Sequence, residues 1–256
     1  MSDTAVSPPV RSAATLIILR DVGRGPEVLM VERHEQLAFA GGALVFPGGA
    51  VDPADFAHVQ VIGPALERED GAGRIAAIRE TLEESGLAVG FDQAGDVDAV
   101  RALRAALEAS TPFADALAAA GLALDLDALL PFARWRPPPH IHRVFDTRFY
   151  LAMVDADHHE AVADGRETAR TLWARPAELL DAAARQEAKV IFPTRCNLER
   201  LAQFDSITAI FAHARAQPVE LVVPRTEVRD GEKYLTIPEG IGYPRTAELL
   251  INAMRG

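Results

Sequence analysis

The segment Arg79–Leu87, with the sequence RETLEESGL, constrains this chain more than any other stretch. On an α-helix, Glu80, Glu83 and Glu84 occupy positions i, i+3 and i+4, so their carboxylates project from one face within about one turn. Repulsion between like charges destabilises an isolated helix, and a bound divalent cation would convert that repulsion into attraction. Ligands that are all oxygen favour Mg²⁺ or Mn²⁺ over zinc. Gly86 can end such a helix because glycine readily adopts positive φ.

A solvated acidic helix face is the alternative interpretation, and it would be sufficient for an isolated pair of glutamates. Here a second motif lies upstream, FPGGAVD at Phe46–Asp52. Together the two segments resemble the Nudix box, G-x5-E-x7-R-E-U-x-E-E-x-G-U, in which U is aliphatic. The chain is identified on these residues as a member of the Nudix hydrolase superfamily. This resemblance implies an α/β (α+β) fold, with a mixed β-sheet sandwiched between helices, and helical insertions.

The sequence departs from the box in three places. If Gly49 is the first glycine of the box, the next acidic position falls on Asp55, which is one methylene shorter than glutamate. Residues 56–78 then occupy a gap of seven, which makes an insertion of sixteen residues. Thr81 replaces an aliphatic residue and concerns helix packing rather than chemistry. A box divided in this way is similar to that of the peroxisomal-type coenzyme A and acyl-coenzyme A diphosphatases.

The resemblance implies a set of site residues. Four carboxylates are expected to bind the metal: Glu80, Glu83, Glu84 and Glu167. Three of these carboxylates and one guanidinium are expected to take part in catalysis: Glu80, Glu83, Glu167 and Arg79. Two glycines and three arginines are expected to contact the substrate: Gly48, Gly49, Arg33, Arg143 and Arg148. Glu167 lies six residues before Trp173, where the family often places a metal ligand or general base.

Each of these assignments has an ordinary structural alternative. Arg79 could form a surface ion pair with Glu83, four residues later. Arginine binds phosphate oxygens in a forked geometry, but Arg143 and Arg148 could equally pair with neighbouring acids. Glu167 could be a charged residue on a strand face. The function is therefore expected from the set of residues more than from any single one.

The expected reaction is hydrolysis of a diphosphate. Splitting a diphosphate with water places charge on the phosphate oxygens, which divalent cations neutralise while lowering the pKa of the attacking water. The subgroup implies coenzyme A or acyl-coenzyme A as substrate, giving adenosine 3′,5′-bisphosphate and (acyl-)4′-phosphopantetheine. ADP-ribose, a dinucleotide or another nucleoside diphosphate derivative is the alternative substrate. A non-catalytic nucleotide-binding regulator is the alternative of another class, although a pure binder has no need for three repelling carboxylates.

Composition excludes several other classes of protein. The formal charge of −11, without a run of basic residues, argues against nucleic-acid binding. The single cysteine, Cys196, excludes an internal disulfide and fits a reducing compartment. No apolar run approaches the length of a membrane span, and the first residues lack the order of a signal peptide. We therefore expect a cytoplasmic protein with a small-molecule substrate and no membrane partner.

The chain is expected to form one domain over 1–256, with insertions at about 56–73 and 95–132 and a C-terminal extension at about 216–256. Glycines at 63, 71 and 73 predict a loop in the first insertion, followed by a helix from Arg74 to Ser85. The second insertion is Ala- and Leu-rich, which predicts two helices broken near Pro112 and Gly121. It could cover the acyl or pantetheine end of a substrate, or equally be a helical elaboration or a homodimer contact.

Periodicity predicts the remaining elements. A hairpin is expected at 13–33, and further strands at 44–46, 88–91 and 143–154. A long amphipathic helix, capped by Thr194, is expected at 194–215. The extension predicts strands at 219–224 and 234–237 and a short helix at 247–254.

Overall fold

The computed structural model describes residues 9–37, 40–92, 96–138, 144–156 and 160–253. Arg143, one of the expected phosphate contacts, lies outside these ranges. No helix in the described ranges is long and apolar enough to cross a membrane.

An eight-stranded mixed sheet forms the centre of the fold. Its hydrogen-bonded order is β3-β2-β1-β6-β5-β8, with β4 paired to β1 and β7 paired to β2. β1 and β2 form the predicted antiparallel hairpin, whereas β1 and β6 run parallel. The strands are β1 Val10–Asp21, β2 Pro26–Arg33, β3 Leu44–Val45, β4 Gly48–Ala50, β5 Leu130–Trp135, β6 Val144–Met153, β7 Thr168–Ala174 and β8 Leu221–Val222.

Helices cover both faces of this sheet, and a three-stranded sheet of order β11-β10-β9 belongs to the C-terminal extension. The small strands are β9 Arg225–Arg229, β10 Glu232–Thr236 and β11 Ala247–Leu249. The α-helices are α1 Pro53–Ile62, α2 Arg68–Ser85, α3 Val97–Glu108, α4 Phe113–Ala120, α5 Pro176–Ala184, α6 Phe192–Leu201, α7 Ile207–Ala216 and α8 Leu250–Ala253.

Two hydrophobic cores result from the alternation of side chains along the strands. On β1, Leu16 and Ile18 face the core that contains α2 and the second insertion, and Ile17 and Leu19 face the core that contains α6 and α7. Successive strand residues point to opposite faces, so a sheet buried on both sides needs apolar residues throughout. The fold confirms the predicted mixed sheet between helices.

The first insertion is mainly helical, which corrects the prediction of a loop. α1 begins at Pro53, and proline is favoured in the first turn because its φ is already helical. α2 begins at Arg68 rather than at Arg74. The Glu67 carboxylate caps this start, accepting the backbone N–H of Glu69 at 3.0 Å and of Asp70 at 2.9 Å.

The glycines of α2 serve close packing rather than a turn. A Cβ added to Gly71 would lie 2.0 Å from Cγ2 of Val59 on α1. A Cβ added to Gly73 would lie 2.6 Å from the hydroxyl oxygen of Tyr150 on β6. Since glycine costs a helix only about 1 kcal/mol relative to alanine, these contacts can offset its presence.

Other predicted elements are wrong in detail. Residues 88–91, all within the described ranges, form no strand. Phe91 makes one bridge to Leu124, and the apolar residues of this run pack in the hydrophobic core. The predicted helix over 194–215 is two helices, because Ser206 starts α7 by accepting the N–H of Ala209 at 3.2 Å. Thr194 is buried inside α6 and is not its cap.

The second insertion and most of the extension match the prediction. α3 and α4 are the two expected helices, and Gly121 ends α4 with a φ of 67°. Strand β8 falls within the predicted piece at 219–224, and β10 overlaps the predicted piece at 234–237 but begins two residues earlier, at Glu232. The last segment begins as strand β11 at Ala247 and turns helical only at Leu250, which corrects the prediction of a helix from 247.

Candidate active site

The three carboxylates of α2 lie on the side of the helix that faces β4, and their exposure differs. Glu84 is buried at 5% relative exposure, whereas the side chains of Glu80 and Glu83 are 17% and 35% exposed. Glu80 and Glu84 are one turn apart and lie against the glycine pair of β4. Glu83 lies at the more open edge of the group. The carboxylates therefore lie at a partly buried junction of α2 with β4 rather than on a flat solvated helix face.

The glycine pair lets β4 pass directly against α2. A Cβ added to Gly49 would lie 2.4 Å from Cδ of Glu80, which no side chain could tolerate without moving the carboxylate. A Cβ added to Gly48 would lie 2.4 Å from the backbone oxygen of Ala14 on β1. The Gly48 N–H donates to Oε2 of Glu84 at 2.9 Å. These contacts join the two halves of the divided box.

Arg79 is buried at the centre of this junction. Its guanidinium donates to Oε1 of Glu80 at 2.8 Å, to Oδ2 of Asp55 at 3.2 Å and to the backbone oxygen of Ala50 at 3.0 Å. Oε1 of Glu83 lies 3.7 Å away. Burial alone would lower the pKa of Arg79, but the surrounding carboxylates raise it. Arg79 thus remains charged and ties α2 to α1 and β4.

Asp55 is the shortened acidic residue of the box. It lies in the first turn of α1 and is 2% exposed. Its carboxylate accepts the backbone N–H of Asp52 at 2.9 Å and forms an ion pair with Arg79. Burial raises its pKa, and Arg79 opposes that shift. From the first turn of α1, this shorter side chain still reaches the guanidinium of Arg79 at 3.2 Å.

Desolvation dominates the electrostatics of the carboxylates. Burial raises the pKa of Glu80 to about 7; Arg79 lowers it, and the charges of Glu83 and Glu167 raise it further. Burial raises the pKa of Glu84 to about 8; the Gly48 N–H and Arg33 lower it, and Glu80 and Glu167 raise it. Burial also raises the pKa of Glu83. Negative charge is therefore held here at a cost in free energy that a bound cation could remove.

Glu167 and Arg33 lie beside this group. The Glu167 side chain is exposed just before β7, and its charge is among the causes that raise the pKa values of Glu80 and Glu84. Arg33 ends β2 and lowers the pKa of Glu84. Its Nε is buried without a hydrogen-bond partner among the described residues. Arg33 and Glu167 thus lie near enough to the carboxylates of α2 for their charges to act on the pKa values there.

Arg148 has a different neighbourhood. It lies on β6 in register with Ala14 of β1, which is itself in register with Gly49 of β4. Its guanidinium is 3.5 Å from Oε2 of Glu67, the residue that caps the start of α2. The carboxylate group is at the other end of the helix. Two strand spacings, or roughly 10 Å, separate Arg148 from Gly49 along the sheet.

The donor set fits a hard divalent cation by its chemistry. Its ligands are carboxylate oxygens, which suit Mg²⁺ and Mn²⁺. In this conformation Glu80 faces Arg79 and Glu84 faces the Gly48 N–H. Among the described residues, no three His, Cys, Asp or Glu side chains converge tightly enough to hold a metal ion. The fit therefore rests on the burial of Glu80 and Glu84, which their contacts with Arg79 and Gly48 offset only in part, and chelation requires their carboxylates to turn towards a common point.

Two residues near the site carry no sequence signal that predicts their contacts. Asp52 places Oδ2 3.6 Å from the guanidinium of Arg79, which only the fold of β4 and α1 makes possible. Arg104, in the second insertion, donates to the backbone oxygen of Glu83 at 3.0 Å across 21 residues of sequence. Neither could be found from the spacing within the box.

Comparison with known proteins agrees with the geometry, although no family model matches the chain. Nudix hydrolase 7 of Caenorhabditis elegans is 30% identical over 196 residues, covering 75% of this chain and 61% of that protein. The acyl-coenzyme A diphosphatase NUDT19 of Gallus gallus is 26% identical over 249 residues, covering 76% and 66%. The chain thus spans less than two thirds of the length of these curated relatives.

A solved structure gives the corresponding result for the fold. The crystal structure of a Nudix hydrolase from Alicyclobacillus acidocaldarius matches with a TM-score of 0.70 at 29% identity, covering 81% of this chain and 97% of that one. The mixed sheet with its carboxylate-bearing helix is therefore a Nudix fold. The chain belongs to the Nudix hydrolase superfamily.

Proposed function

We propose that this chain is a divalent-cation-dependent diphosphatase that hydrolyses a nucleoside diphosphate derivative. The observation that carries the proposal is the pair of carboxylates packed against Gly48 and Gly49, of which Glu80 is largely buried and Glu84 fully buried. Both have pKa values raised by burial, to about 7 and about 8. A site that only bound a neutral or anionic ligand would have no use for this concentration of negative charge.

Each residue of the candidate site is assigned a role from its position. Mg²⁺ or Mn²⁺ bound by Glu80, Glu83 and Glu84 would neutralise charge on the diphosphate and lower the pKa of the attacking water. Arg79 donates to one oxygen of the Glu80 carboxylate at 2.8 Å, and the other oxygen would be available to the metal. Glu167, which is exposed and whose charge raises the pKa values of Glu80 and Glu84, is assigned as a further ligand or as the general base.

Phosphate contacts come from the same side of the sheet. Arg33 has an unpartnered buried Nε among the described residues, and a guanidinium binds phosphate oxygens well. The glycine pair of β4 lies directly against the carboxylates of α2, and its backbone is assigned a contact with the substrate beside them. Arg148, at the far end of α2, would contact a part of the substrate distant from the diphosphate.

Coenzyme A or an acyl-coenzyme A is the proposed substrate. Hydrolysis of its diphosphate would release adenosine 3′,5′-bisphosphate and (acyl-)4′-phosphopantetheine. This choice is supported by the likeness to the acyl-coenzyme A diphosphatase of Gallus gallus and by the division of the box by an insertion. ADP-ribose or a dinucleotide would be cleaved by the same group of carboxylates.

A substrate panel tests the proposal. Coenzyme A, acyl-coenzyme A, ADP-ribose, NADH and nucleotide sugars are incubated with the protein and Mg²⁺ or Mn²⁺, and products are identified by mass spectrometry. The proposal predicts fastest cleavage for coenzyme A or its acyl ester. Faster cleavage of ADP-ribose would contradict the proposed substrate but would support the proposed reaction. Binding of these compounds without cleavage of any would favour the non-catalytic regulator.

Product inhibition separates the substrates independently. If coenzyme A is the substrate, the site accommodates a 3′-phosphate, and adenosine 3′,5′-bisphosphate should inhibit more strongly than AMP. Inhibition constants are measured against whichever panel compound is cleaved. Equal inhibition by the two nucleotides would contradict the coenzyme A assignment.

A further inference from the structure

We infer that Arg104, in the second insertion, is a positioning residue that fixes the segment bearing Glu167 against the C-terminal end of α2. The inference deepens the proposed function and rests on it. One nitrogen of Arg104, Nη2, donates to the backbone oxygen of Glu83 at 3.0 Å and to that of Val162 at 2.9 Å. These two acceptors belong to segments that lie 79 residues apart in the sequence. A single side chain of the insertion therefore joins both parts of the active site.

The end of α2 is built to receive this guanidinium. The last carbonyls of a helix have no intrahelical partner, and a cation there also interacts favourably with the helix dipole. Gly86 ends α2 with a φ of 72°, and a Cβ at Gly86 would lie 2.7 Å from Nη1 of Arg104. The glycine of the box thus both ends the helix and makes room for Arg104.

Val162 is held from two sides. Its N–H donates to the backbone oxygen of Ser85 at 2.7 Å, while its own oxygen accepts from Arg104. The neighbouring Ala161 oxygen accepts the hydroxyl of Thr171 on β7 at 2.8 Å. The segment around 161–162 is therefore anchored to α2, α3 and β7 through its backbone, and its side chains need no particular identity for this.

The anchored segment leads directly to Glu167. The Asp164 carboxylate accepts the N–H groups of Arg166, Glu167 and Thr168 at 3.1, 3.2 and 2.8 Å, which fixes the turn. The backbone oxygen of Glu167 accepts the N–H of His34 at 2.8 Å. The position of Glu167 relative to Glu80 and Glu84 is consequently set by the His34 contact on one side and by the Arg104 contact on the other.

An ordinary helix ion pair is the simpler role for Arg104, because Oε1 of Glu108 lies 3.7 Å from its Nε. Only 16% of the Arg104 side chain is exposed, however, whereas Arg101, one turn earlier, is 73% exposed and pairs with Asp98. The two backbone contacts are shorter than the contact to Glu108. Arg101 therefore provides a matched control on the same helix.

The test compares Arg104→Met with Arg101→Met. Hydrogen exchange is followed by mass spectrometry, Mn²⁺ affinity by calorimetry, and kcat and KM on a panel substrate. Arg104→Met should speed exchange within 160–168 and lower kcat or Mn²⁺ affinity by about tenfold or more, the usual effect of losing a residue that orients ligands, with KM changed less than about threefold. Arg101→Met should match the wild type in every measurement.

Arg104→Lys keeps a charged donor at the helix end and guards against a methionine variant that fails to fold. It should restore exchange protection and activity to levels clearly above those of Arg104→Met. Wild-type exchange within 160–168 in a folded Arg104→Met would overturn the inference, as would a lysine variant that folds yet behaves like methionine. Exchange needs no turnover, so it still decides the role of Arg104 if no panel compound is cleaved, a result that would count against the proposed function alone.

Discussion

Replacing Glu84 by glutamine should stabilise the metal-free protein at neutral pH. The pKa of Glu84 is raised from 4.5 to about 8, chiefly by burial, so the folded state holds a proton more tightly than the unfolded state. The free energy of unfolding therefore falls as pH rises between about 4.5 and 8. Glutamine has no charge to lose, and its amide oxygen can still accept the Gly48 N–H that Glu84 accepts at 2.9 Å.

The size of the effect follows from the width of that pH window. Each pKa unit corresponds to about 1.4 kcal/mol, so raising the pH from 4.5 to 7 lowers the free energy of unfolding by about 3 kcal/mol, because the unfolded state releases the Glu84 proton that the folded state keeps. Glu84→Gln should recover a large part of this, and the gain should vanish as pH approaches 4.5. A divalent cation should reverse the order, because a ligand at a hundred times its Kd stabilises the protein that binds it by about 2.7 kcal/mol.

Urea unfolding followed by circular dichroism at pH 5 and pH 7, in EDTA and in Mn²⁺, measures these differences. Glu239→Gln, at an exposed position, provides a control that should match the wild type. A Glu84→Gln variant that is less stable than the wild type at pH 7 in EDTA would refute the reasoning. That result would mean that attraction from Arg33 outweighs the cost of burial.

Three further perturbations probe the same group. Mn²⁺ must displace protons from Glu80 and Glu84, because burial raises their pKa values to about 7 and about 8. The affinity for Mn²⁺, measured by calorimetry, should therefore be about tenfold or more weaker at pH 6 than at pH 8.5. Equal affinities at the two pH values would contradict those pKa shifts. Gly49→Ala places a Cβ 2.4 Å from Cδ of Glu80, so it should weaken Mn²⁺ binding while the circular dichroism spectrum stays native. Unchanged binding would show that Mn²⁺ binding does not depend on the position of the Glu80 carboxylate. Asp55→Asn removes the buried partner of Arg79 and should lower the free energy of unfolding by about 1–3 kcal/mol in urea; an unchanged midpoint would mean that the other carboxylates compensate.

The box segment shows what sequence could establish. The i, i+3, i+4 spacing of Glu80, Glu83 and Glu84 fixes their common face for any helix, and the fold bears out that helix and the glycine that ends it. The hairpin of β1 and β2 also follows from short-range periodicity and turn chemistry. The helix and the hairpin depend on residues close in sequence, whereas the mixed sheet, which pairs β1 with the distant β6, was expected only from the resemblance to the Nudix superfamily.

Contacts across the fold were not predictable in the same way. In the sequence, glycines such as Gly71 and Gly73 are typical of a loop. Only the positions of Val59 and Tyr150 in the fold show that these glycines allow a helix to pack closely. Arg104 gains its importance from two backbone oxygens that no side-chain pattern encodes.

The most direct test of the account measures diphosphate cleavage by the wild type and by Glu83→Gln, in Mg²⁺ or Mn²⁺ and in EDTA, on the compounds of the panel. Glu83 is at the open edge of the group, with its side chain 35% exposed, so glutamine there should leave the fold intact. The account predicts cleavage by the wild type that requires the metal, and loss of most of that cleavage in Glu83→Gln. Full activity in the Glu83→Gln variant, or equal cleavage in EDTA, would contradict it.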